Sequence, residues 1–304
     1  MMWVATLLRS IYCSDPASIP HKPTAWTICP MQALTNWPLA ARRRITGVFT
    51  DIDDTLTTDG AITPDALAAL GQLRAAGLNV IAVTGRPVGW SEPFARTWPL
   101  DAIVAENGAV LLHLVHQNGL LPSHPVPEQL SKSYQKDAAS RGSNLARLQQ
   151  IAQRVLREVP GATLAQDSLG RETDIAIDHS EFSHLDAAQI ASVVRILQSE
   201  GAHATVSSIH INGWFGTHNK LTGARWAVQA LYGRELKEEM HAWAFVGDST
   251  NDQLMFQAFA QSIGVANVRC FEAQLTHLPR YVALGKRGGG FAEVAQAILS
   301  ARTN

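Results

Sequence analysis

The chain reads ITGVFTDIDDTL from Ile45 to Leu56. Its first half is a short, largely apolar run that is typical of a buried strand, and an acidic cluster follows directly. Asp51 and Asp53 are two residues apart, so their side chains point the same way if the segment is extended. One carboxylate can attack phosphorus to form an aspartyl-phosphate, and the other can donate and accept the proton. A solvated acidic turn is the alternative interpretation of the same residues.

The residues after this segment predict a parallel sheet. Thr63-Pro64 has the features of a helix start, because Thr is a good N-cap and Pro fits the first turn. Three leucines follow at helical spacing, Gly77 closes the helix, and residues 78–83 and 102–105 have strand patterns. A strand, a helix and a strand at this spacing predict a βαβ unit. We therefore expect an α/β fold with a Rossmann-like, doubly wound parallel sheet.

The same alternation returns near the end of the chain, after a different middle part. The late patterns are helical at 221–232, 252–259 and 291–300, and strand-like at 242–246, 262–265 and 281–284. The middle part predicts a loop at 116–140, helices at 145–159 and 187–200, and strands at 174–178 and 204–211. We therefore expect a catalytic core at residues 41–112 and 213–304, with a smaller inserted α/β domain at residues 113–212.

Residues 1–40 differ from the rest of the chain. They contain three Trp and five Pro, and they show little periodicity. Two interpretations of this N-terminal extension stay open. It is either a poorly ordered tail, or translation begins at Met31, since the first strong strand pattern starts only at Ile45. Met1 to Leu8 is apolar but lacks the flanking residues of a secretory signal.

The composition argues against several classes of protein. The 304 residues are 46% hydrophobic and 17% charged, which is the balance of a globular chain rather than a disordered one. A formal net charge of −1 gives no electrostatic reason to expect nucleic acid or a membrane surface as a partner. Three cysteines without metal-ligand spacing favour a reducing, cytoplasmic setting. Monomer and homodimer both stay open.

Three further segments place polar groups at the ends of predicted elements. Thr84-Gly85-Arg86 follows a strand, where a hydroxyl and free backbone N–H groups can hold phosphate oxygens. Lys220 lies at a helix start, and its compact charge suits a phosphate or a carboxylate. GDSTND at residues 247–252 follows another strand and offers the hard oxygen ligands that suit Mg²⁺. Each segment alone also fits an ordinary turn, a solvated lysine or a helix cap.

The combination of segments is more specific than its members, because the carboxyl ends of parallel strands line one crevice. Two like charges about 4 Å apart repel by roughly 4 kcal/mol at an effective dielectric constant of 20. A phosphate dianion next to Asp51, Asp53 and Asp248 would suffer this repulsion several times. A divalent cation and Lys220 would relieve it. The sequence therefore predicts a Mg²⁺-dependent hydrolase that acts on a phosphate monoester.

These segments resemble the four ordered motifs of the haloacid dehalogenase superfamily, over residues 45–300. The resemblance implies that Asp51 is the nucleophile and Asp53 the general acid and base, because a second acidic residue in the first motif is typical of the phosphatase branch. The residues that it implies for phosphate binding are Thr84, Gly85, Lys220 and Asn251. The residues that it implies for Mg²⁺ binding are Asp51, Asp53 through its backbone carbonyl, Asp248 and Asp252. Asp54 departs from the Gly or Asn that the family often has there.

The inserted segment resembles the α/β cap of the Cof-like branch of that superfamily. RETDIAID at residues 171–178 is similar to a cap segment of the mannosyl-3-phosphoglycerate and sucrose-phosphate phosphatases. This likeness implies that the partner is a small phosphorylated metabolite, either a phosphorylated sugar or a sugar acid. Caps set specificity in this family. The residues that we expect at the substrate are Arg171, His210, Asn212 and Trp214, although packing where cap and core join is the stronger interpretation for Trp214.

Two other functions stay open. A phosphomutase of the same superfamily would return the phosphate to a sugar, and its cap would have to exclude water. A non-catalytic phosphoacceptor domain also combines strand-end carboxylates with a Thr and a Lys. Asp53 argues against the second alternative, because a long-lived acyl phosphate tolerates no adjacent base.

Overall fold

The computed structural model describes residues 30–115 and 129–302. The strands of these residues are β1 (Gln32–Ala33), β2 (Gly47–Thr50), β3 (Thr57–Thr58), β4 (Ala61–Ile62), β5 (Asn79–Val83), β6 (Ala102–Ala105), β7 (Val110–Val115), β8 (Gln129–Tyr134), β9 (Thr163–Leu164), β10 (Asp174–Asp178), β11 (His203–Val206), β12 (His210–Trp214), β13 (Trp243–Gly247), β14 (Gln261–Gly264) and β15 (Tyr281–Val282). The α-helices are α1 (Leu39–Arg43), α2 (Pro64–Ala75), α3 (Val88–Thr97), α4 (Ala138–Glu158), α5 (Ala187–Ser199), α6 (Lys220–Tyr232), α7 (Leu236–Glu239), α8 (Gln253–Ala258) and α9 (Arg287–Ser300).

The main sheet of the described residues has the order β1-β15-β14-β13-β2-β5-β6-β7-β8. The strands from β1 to β6 in this order are parallel, and β7 and β8 add an antiparallel hairpin at the far edge. Helices cover both faces, because successive side chains of a buried strand point to opposite sides. Val48 packs in the cluster that includes Leu70 of α2 and Val294 of α9, whereas Phe49 packs in the cluster that includes Val228 of α6. The predicted α/β fold with a doubly wound parallel sheet is confirmed.

A second, four-stranded antiparallel sheet lies in the inserted unit, which we call the cap, in the order β11-β12-β10-β9. Its apolar residues pack against α4 and α5 in a separate cluster, which includes Leu148, Val193, Ile177 and Ile211. Asp186 and Gln189 form a capping box that starts α5, so the turn before this helix satisfies its first N–H groups. The inserted α/β unit therefore has its own hydrophobic core. In the sequence, it lies between two segments that both contribute strands to the main sheet.

Several elements differ from their sequence predictions. The strand predicted at 204–211 is a hairpin of β11 and β12, because Ser207 closes a turn by bonding the backbone of His210. Residues 116–128 of the predicted loop lie outside the described residues, but residues 129–134 form a strand and α4 starts at Ala138. The first residues of both elements are polar, so apolar residues do not recur there at the spacing of a strand or a helix. Strand β8 lies at the sheet edge, where side chains stay half exposed.

The main sheet also extends beyond the predicted core ranges of 41–112 and 213–304. Residues 113–115 and 129–134, which fell within the predicted cap at 113–212, pair in its edge hairpin. Of the predicted extension at 1–40, residues 1–29 lie outside the described residues. Residues 32–33 pair with β15, and Trp37 is buried beside Tyr281. These residues lacked a recognisable period because β1 is only two residues long.

The cap and the core touch at two glycines. Gly89 lies in the first turn of α3, and Gly170 lies in a short 3-10 turn of the cap. A Cβ atom on Gly89 would lie 2.8 Å from the Cα atom of Gly170, which is closer than carbon atoms approach without a shift. Only glycine therefore permits this close approach of the two backbones. Among the described helices, none combines the length and apolar character that a bilayer crossing requires.

Candidate active site

The four predicted segments meet at one edge of the main sheet. Asp51 follows β2, Thr84 follows β5 and Asp248 follows β13, and these three strands are neighbours in the sheet. Because the strands are parallel, their carboxyl ends lie side by side, and the residues that follow them converge. Lys220 reaches the same place from the first turn of α6, which packs on one face of the sheet.

Three buried carboxylates and one ammonium group form the centre of this site, which we call the strand-end cluster. It consists of Asp51, Asp248, Asp252 and Lys220. One oxygen from each of the three carboxylates lies within 4.8 Å of the others. Lys220 Nζ donates to Asp51 Oδ1 at 2.7 Å and to Asp252 Oδ1 at 2.8 Å. The cluster thus has more acidic groups than cations, and all four side chains are almost entirely shielded from solvent.

The electrostatics of the strand-end cluster follow from its burial. Burial raises the pKa of Asp51 to about 7; the charge of Lys220 lowers it, whereas the charges of Asp252 and Asp53 raise it further. Burial also raises the pKa of Asp248 well above its usual range, with further increases from Asp51 and Asp252. For Lys220, burial disfavours the charged form, but the two carboxylates that it contacts outweigh this and raise its pKa. The lysine is therefore charged, and it donates to two of the three acids of the cluster.

The donor set of this cluster fits a hard divalent cation. Carboxylate oxygens at the end of a strand are the ligands that Mg²⁺ prefers, and an added positive charge would relieve the acidic excess. Two neighbours support Asp248: Asn267 Nδ2 donates to it at 3.1 Å and Thr55 Oγ1 at 3.4 Å. Asn267 Nδ2 also donates to the backbone carbonyl of Asp54 at 3.0 Å. The turn after β2 and the turn after β13 are thus held together beside the acids.

The turn after Asp53 depends on an uncommon backbone conformation. Asp54 has a φ of 54°, in the left-handed region where Gly and Asn are favoured and Asp is tolerated. Its carboxylate pairs with Arg287 Nε at 3.0 Å. The structure thus explains why the family pattern prefers Gly or Asn here, and why Asp can replace them.

The Thr84–Arg86 loop lies beside Asp51 in the order of the strands. Thr84 is fully buried, and its Oγ1 accepts a hydrogen bond from the backbone N–H of Arg86 at 3.0 Å. Asn251, the remaining predicted phosphate-binding residue, lies in the turn after Asp248, where Ser249 Oγ donates to its side-chain oxygen at 3.0 Å. Both side chains are therefore held in place by short-range hydrogen bonds.

Arg86 is the functional candidate that the sequence analysis did not select. It links the core to the cap, because its Nε donates to Asp53 at 2.9 Å, its Nη1 to Asp167 at 3.1 Å and its Nη2 to Glu181 at 2.8 Å. Burial opposes its charge, but these three carboxylates outweigh that effect and raise its pKa. Its position directly after Thr84-Gly85 was the signal that could have identified it. Its three acidic partners are far apart in the sequence.

The predicted cap residues lie in three different environments. His210 Nε2 lies 2.8 Å from Glu181 Oε2. Because Glu181 also accepts a hydrogen bond from Arg86, this carboxylate links His210 to Arg86. Trp214 is buried; its Nε1 donates to the backbone carbonyl of His218 at 3.0 Å, and its ring stacks on His203. Trp214 therefore packs where the chain returns from the cap to the core, as the packing interpretation states.

Arg171 and Asn212 belong to a polar group at the base of the cap, which we call the cap-base cluster. It consists of Arg171, Asp174 and Asn212 from the cap and Asn107 from the core. Asp174 is fully buried and accepts from Arg171 Nη1 at 2.8 Å, Asn212 Nδ2 at 3.3 Å and Asn107 Nδ2 at 3.4 Å. Arg171 and Asn212 also donate to the backbone carbonyl of Gly85. Every member of the cluster thus has a partner within the protein.

Glu106 is a further residue that the sequence did not predict as important. Its buried carboxylate accepts hydrogen bonds from the backbone N–H groups of Val88, Glu172 and Thr173 and from the Thr173 hydroxyl. One side chain of the core therefore holds the cap strand that follows Arg171. The partners of Glu106 are contributed by distant segments, so no local pattern reveals them.

Comparison with known proteins agrees with this geometry. Residues 48–157 match the family model of the haloacid dehalogenase-like hydrolases. No curated protein sequence is significantly similar to the chain. The match covers the first two motifs, and it confirms the predicted resemblance and the prediction of a hydrolytic enzyme at the level of this family.

Solved structures share the fold across nearly the whole described chain. A Thermoplasma acidophilum protein has a TM-score of 0.62 at 16% identity, covering 84% of this chain and 98% of that one. The sucrose-phosphatase from Synechocystis, in complex with sucrose and phosphate, has a TM-score of 0.56 at 18% identity, covering 84% and 98%. The C-terminal domain of trehalose-6-phosphate phosphatase from C. albicans has a TM-score of 0.59 at 12% identity, covering 89% and 98%. At these identities, the likeness shows that the chain shares the fold of these proteins.

Proposed function

We propose that this haloacid dehalogenase-like chain is a Mg²⁺-dependent phosphatase of a small phosphate monoester, and that the phosphoryl group passes through Asp51. The observation that carries the proposal is the contact of Lys220 with both Asp51 and Asp252 inside a buried cluster of three carboxylates. A structural ion pair would need one acid for one lysine. The acidic excess indicates that further positive charge binds here together with a phosphate.

The reaction consists of two displacements at phosphorus. In the first, an Asp51 oxygen forms a bond to phosphorus, the bond to the leaving oxygen breaks, and Asp53 gives that oxygen a proton. In the second, water loses a proton to Asp53 and attacks the aspartyl-phosphate, which breaks its bond to Asp51 and releases inorganic phosphate. Lys220 holds the Asp51 carboxylate and neutralises charge on the phosphoryl oxygens.

The proposed metal ligands are Asp51, the backbone carbonyl of Asp53, Asp248 and Asp252. A bound Mg²⁺ would supply charge stabilisation for the phosphoryl oxygens as the transition state forms. Thr84, Gly85 and Asn251 would bind the remaining phosphate oxygens through a hydroxyl, a backbone N–H and an amide. Uncatalysed hydrolysis of a phosphate monoester needs up to roughly 10²¹-fold acceleration, so positioning and charge stabilisation must act together.

The proposed substrate is a phosphorylated sugar without a second acidic group. The cap side of the site has the carboxylates of Asp167 and Glu181, which contact Arg86 together with Asp53; Asp167 also pairs with Arg171, and Glu181 with His210. Hydrogen bonds from His210 and Arg86 outweigh the effect of burial and lower the pKa of Glu181 to about 2, so it carries a negative charge. Carboxylates accept hydrogen bonds from sugar hydroxyls but repel the carboxylate of a sugar acid. The structural likeness to a sucrose-phosphatase and to a trehalose-6-phosphate phosphatase supports a sugar substrate.

Phosphate release from a substrate panel tests this proposal. The panel contains neutral sugar phosphates, phosphoglycerate derivatives and p-nitrophenyl phosphate, each with Mg²⁺, with EDTA and with the Asp51→Asn variant. We expect Mg²⁺-dependent release that the variant abolishes and that is fastest for neutral sugar phosphates. Folded protein that releases no phosphate from any of them would contradict the phosphatase. Interconversion of sugar phosphates would then indicate the mutase, and stable labelling by acetyl phosphate would indicate the phosphoacceptor.

A further inference from the structure

The backbone carbonyls of the Thr84–Arg86 loop all accept hydrogen bonds from the protein. Those of its first and last residues bind the backbone N–H groups of residues 107 and 106 in the core. The carbonyl of Gly85 is different, because its donors come from the cap. Arg171 Nη1 donates to it at 3.0 Å, and Asn212 Nδ2 lies 3.4 Å from it. The side chains of the cap therefore contact the main chain of the proposed phosphate-binding loop.

This contact fixes the orientation of a whole peptide unit. The Gly85 carbonyl and the Arg86 N–H lie in one plane and point in opposite directions. When Arg171 holds the carbonyl, the N–H points the other way, where it donates to Thr84 Oγ1 at 3.0 Å. Because that oxygen accepts from Arg86, the hydroxyl proton of Thr84 remains free to be donated to another acceptor. A phosphate oxygen beside Asp51 is such an acceptor.

Arg171 itself is held too firmly to follow a substrate. It is buried, and both of its terminal nitrogens have protein partners: Nη1 donates to Asp174 at 2.8 Å and Nη2 to Asp167 at 3.1 Å. A planar guanidinium can serve these acceptors and the Gly85 carbonyl at once because its donors form a rigid fork.

A side chain at position 85 would crowd this arrangement. A Cβ atom at this position would lie 3.2 Å from Asn212 Oδ1 and 3.3 Å from Asn107 Oδ1. A larger residue would therefore push the two amides away from the loop and from Asp174.

We propose that Arg171 is a positioning residue for phosphate binding. From the cap, it holds the Gly85 carbonyl and thereby orients the Thr84 hydroxyl toward the phosphate. This proposal rests on the proposed function, and it differs from the direct substrate contact that the sequence predicts for Arg171. It also couples the two parts of the protein, since the Gly85 carbonyl has these two donors only while the cap lies on the core.

Two substrates distinguish positioning from substrate contact. We expect Arg171→Met to lower kcat/KM by about 100-fold, as for a misplaced catalytic group. The factor should be the same for the best sugar phosphate and for p-nitrophenyl phosphate, whose leaving group offers no hydroxyls to the cap. Inhibition by inorganic phosphate should weaken in parallel. A loss confined to the sugar phosphate would overturn the proposal and restore direct substrate contact.

A double-mutant cycle tests the route through Thr84. If Arg171 acts by orienting the Thr84 hydroxyl, Arg171→Met should cost much less in a Thr84→Val background than in the wild type. Two effects that simply multiply would overturn the proposal. Arg154→Met is the matched control, because Arg154 is a cap arginine that also bridges two carboxylates, Glu158 and Glu200, away from the loop. It should retain wild-type kinetics.

Measuring the folded fraction of each variant separates a loss of stability from a loss of positioning. Arg171→Lys keeps the buried charge but cannot serve all three acceptors, so we expect it to fold and to show an intermediate loss. A lower Tm with unchanged kcat/KM per folded molecule would overturn the proposal. If the wild type releases no phosphate from any substrate, the proposed function fails. Binding of tungstate, a phosphate analogue, then decides the positioning role, and equal affinity in the wild type and Arg171→Met would overturn it.

Discussion

The strand-end cluster and the cap-base cluster are both buried and both contain charged groups, yet they differ in their balance of acids and cations. In the strand-end cluster, three carboxylates lie around one ammonium group, which donates to two of them. In the cap-base cluster, the buried Asp174 has a guanidinium and two amides as donors. Buried charges are stable only when they are paired. An excess of buried acids over cations therefore indicates where an external cation binds, and a balanced pair of charges indicates a supporting role.

The largest expected effect is on the nucleophile of the strand-end cluster. We expect Asp51→Asn to lower phosphate release by at least about 10⁴-fold, because no other group replaces the attacking carboxylate. The same change should raise Tm in EDTA, since it removes one of the buried acids that repel each other. Asp65→Asn on the exposed surface of α2 is the matched control for activity and should leave phosphate release unchanged. Substantial turnover by Asp51→Asn would show that the reaction does not pass through this residue.

The second prediction concerns the charge balance of the two clusters. Lys220→Met leaves the acids of the strand-end cluster without their cation, and we expect a loss of about 3–5 kcal/mol in the free energy of unfolding. Added Mg²⁺ should restore part of this loss by occupying the same acids. Arg171→Met should also lower the free energy of unfolding, but added Mg²⁺ should not restore this loss. Urea unfolding of both variants with and without Mg²⁺ measures the contrast, and equal recovery would remove the distinction between the clusters.

The third prediction is the pH dependence of the cap-base cluster. Burial raises the pKa of Asp174 to about 7; Arg171 lowers it, and Glu106 raises it further. The folded state thus holds a proton that the unfolded chain releases near its ordinary pKa of about 4. Its contribution to stability is complete below about pH 4 and is lost as the pH rises through about 7.

The Asp174→Asn variant should remove this dependence. We expect the Tm difference between wild type and variant to change from pH 4 to 7 and to be constant above about pH 8. Both proteins are measured in EDTA, so that the titration of Asp51 is common to them. A difference that stays constant over the whole range would contradict the raised pKa.

The smallest expected effect is at Trp214. Trp214→Phe removes the hydrogen bond to the His218 carbonyl, and we expect a loss of about 1 kcal/mol in the free energy of unfolding. Activity per folded molecule should not change for sugar phosphates or p-nitrophenyl phosphate, because the ring packs between His203 and His218. A selective loss on sugar phosphates would instead give Trp214 a role in substrate binding.

The two clusters also differ in how far the sequence could predict them. Asp51, Thr84 and Asp248 each follow an apolar strand, and parallel strands bring their ends together, so local patterns were enough to predict that they meet. The partners of Arg171 are a backbone carbonyl at Gly85 and an acid at 174, and only the fold brings these atoms together. An arginine at position 171 suggested contact with a substrate, whereas in the structure its side chain contacts other groups of the protein.

The same limit explains the elements that the sequence missed. Strand β8 and the first turns of α4 are polar and half exposed, so their sequences show no regular spacing of buried apolar residues. The hairpin of β11 and β12 turns at Ser207 without a glycine or proline, which are the usual signals of a turn. Arg86 was visible as part of a motif, but its role between core and cap depends on Asp167 and Glu181, which reach it only through the folded cap.

The contact between Gly89 and Gly170 makes the seam between α3 and the cap sensitive to a single added carbon atom. Neither residue has a side chain, so the two backbones touch directly, and a single methyl group at either position would act as a wedge between them. The close approach of the cap to α3 at this point therefore depends on the absence of two side chains. Adding one carbon atom at Gly89 would push the two backbones apart without altering any residue of the strand-end cluster.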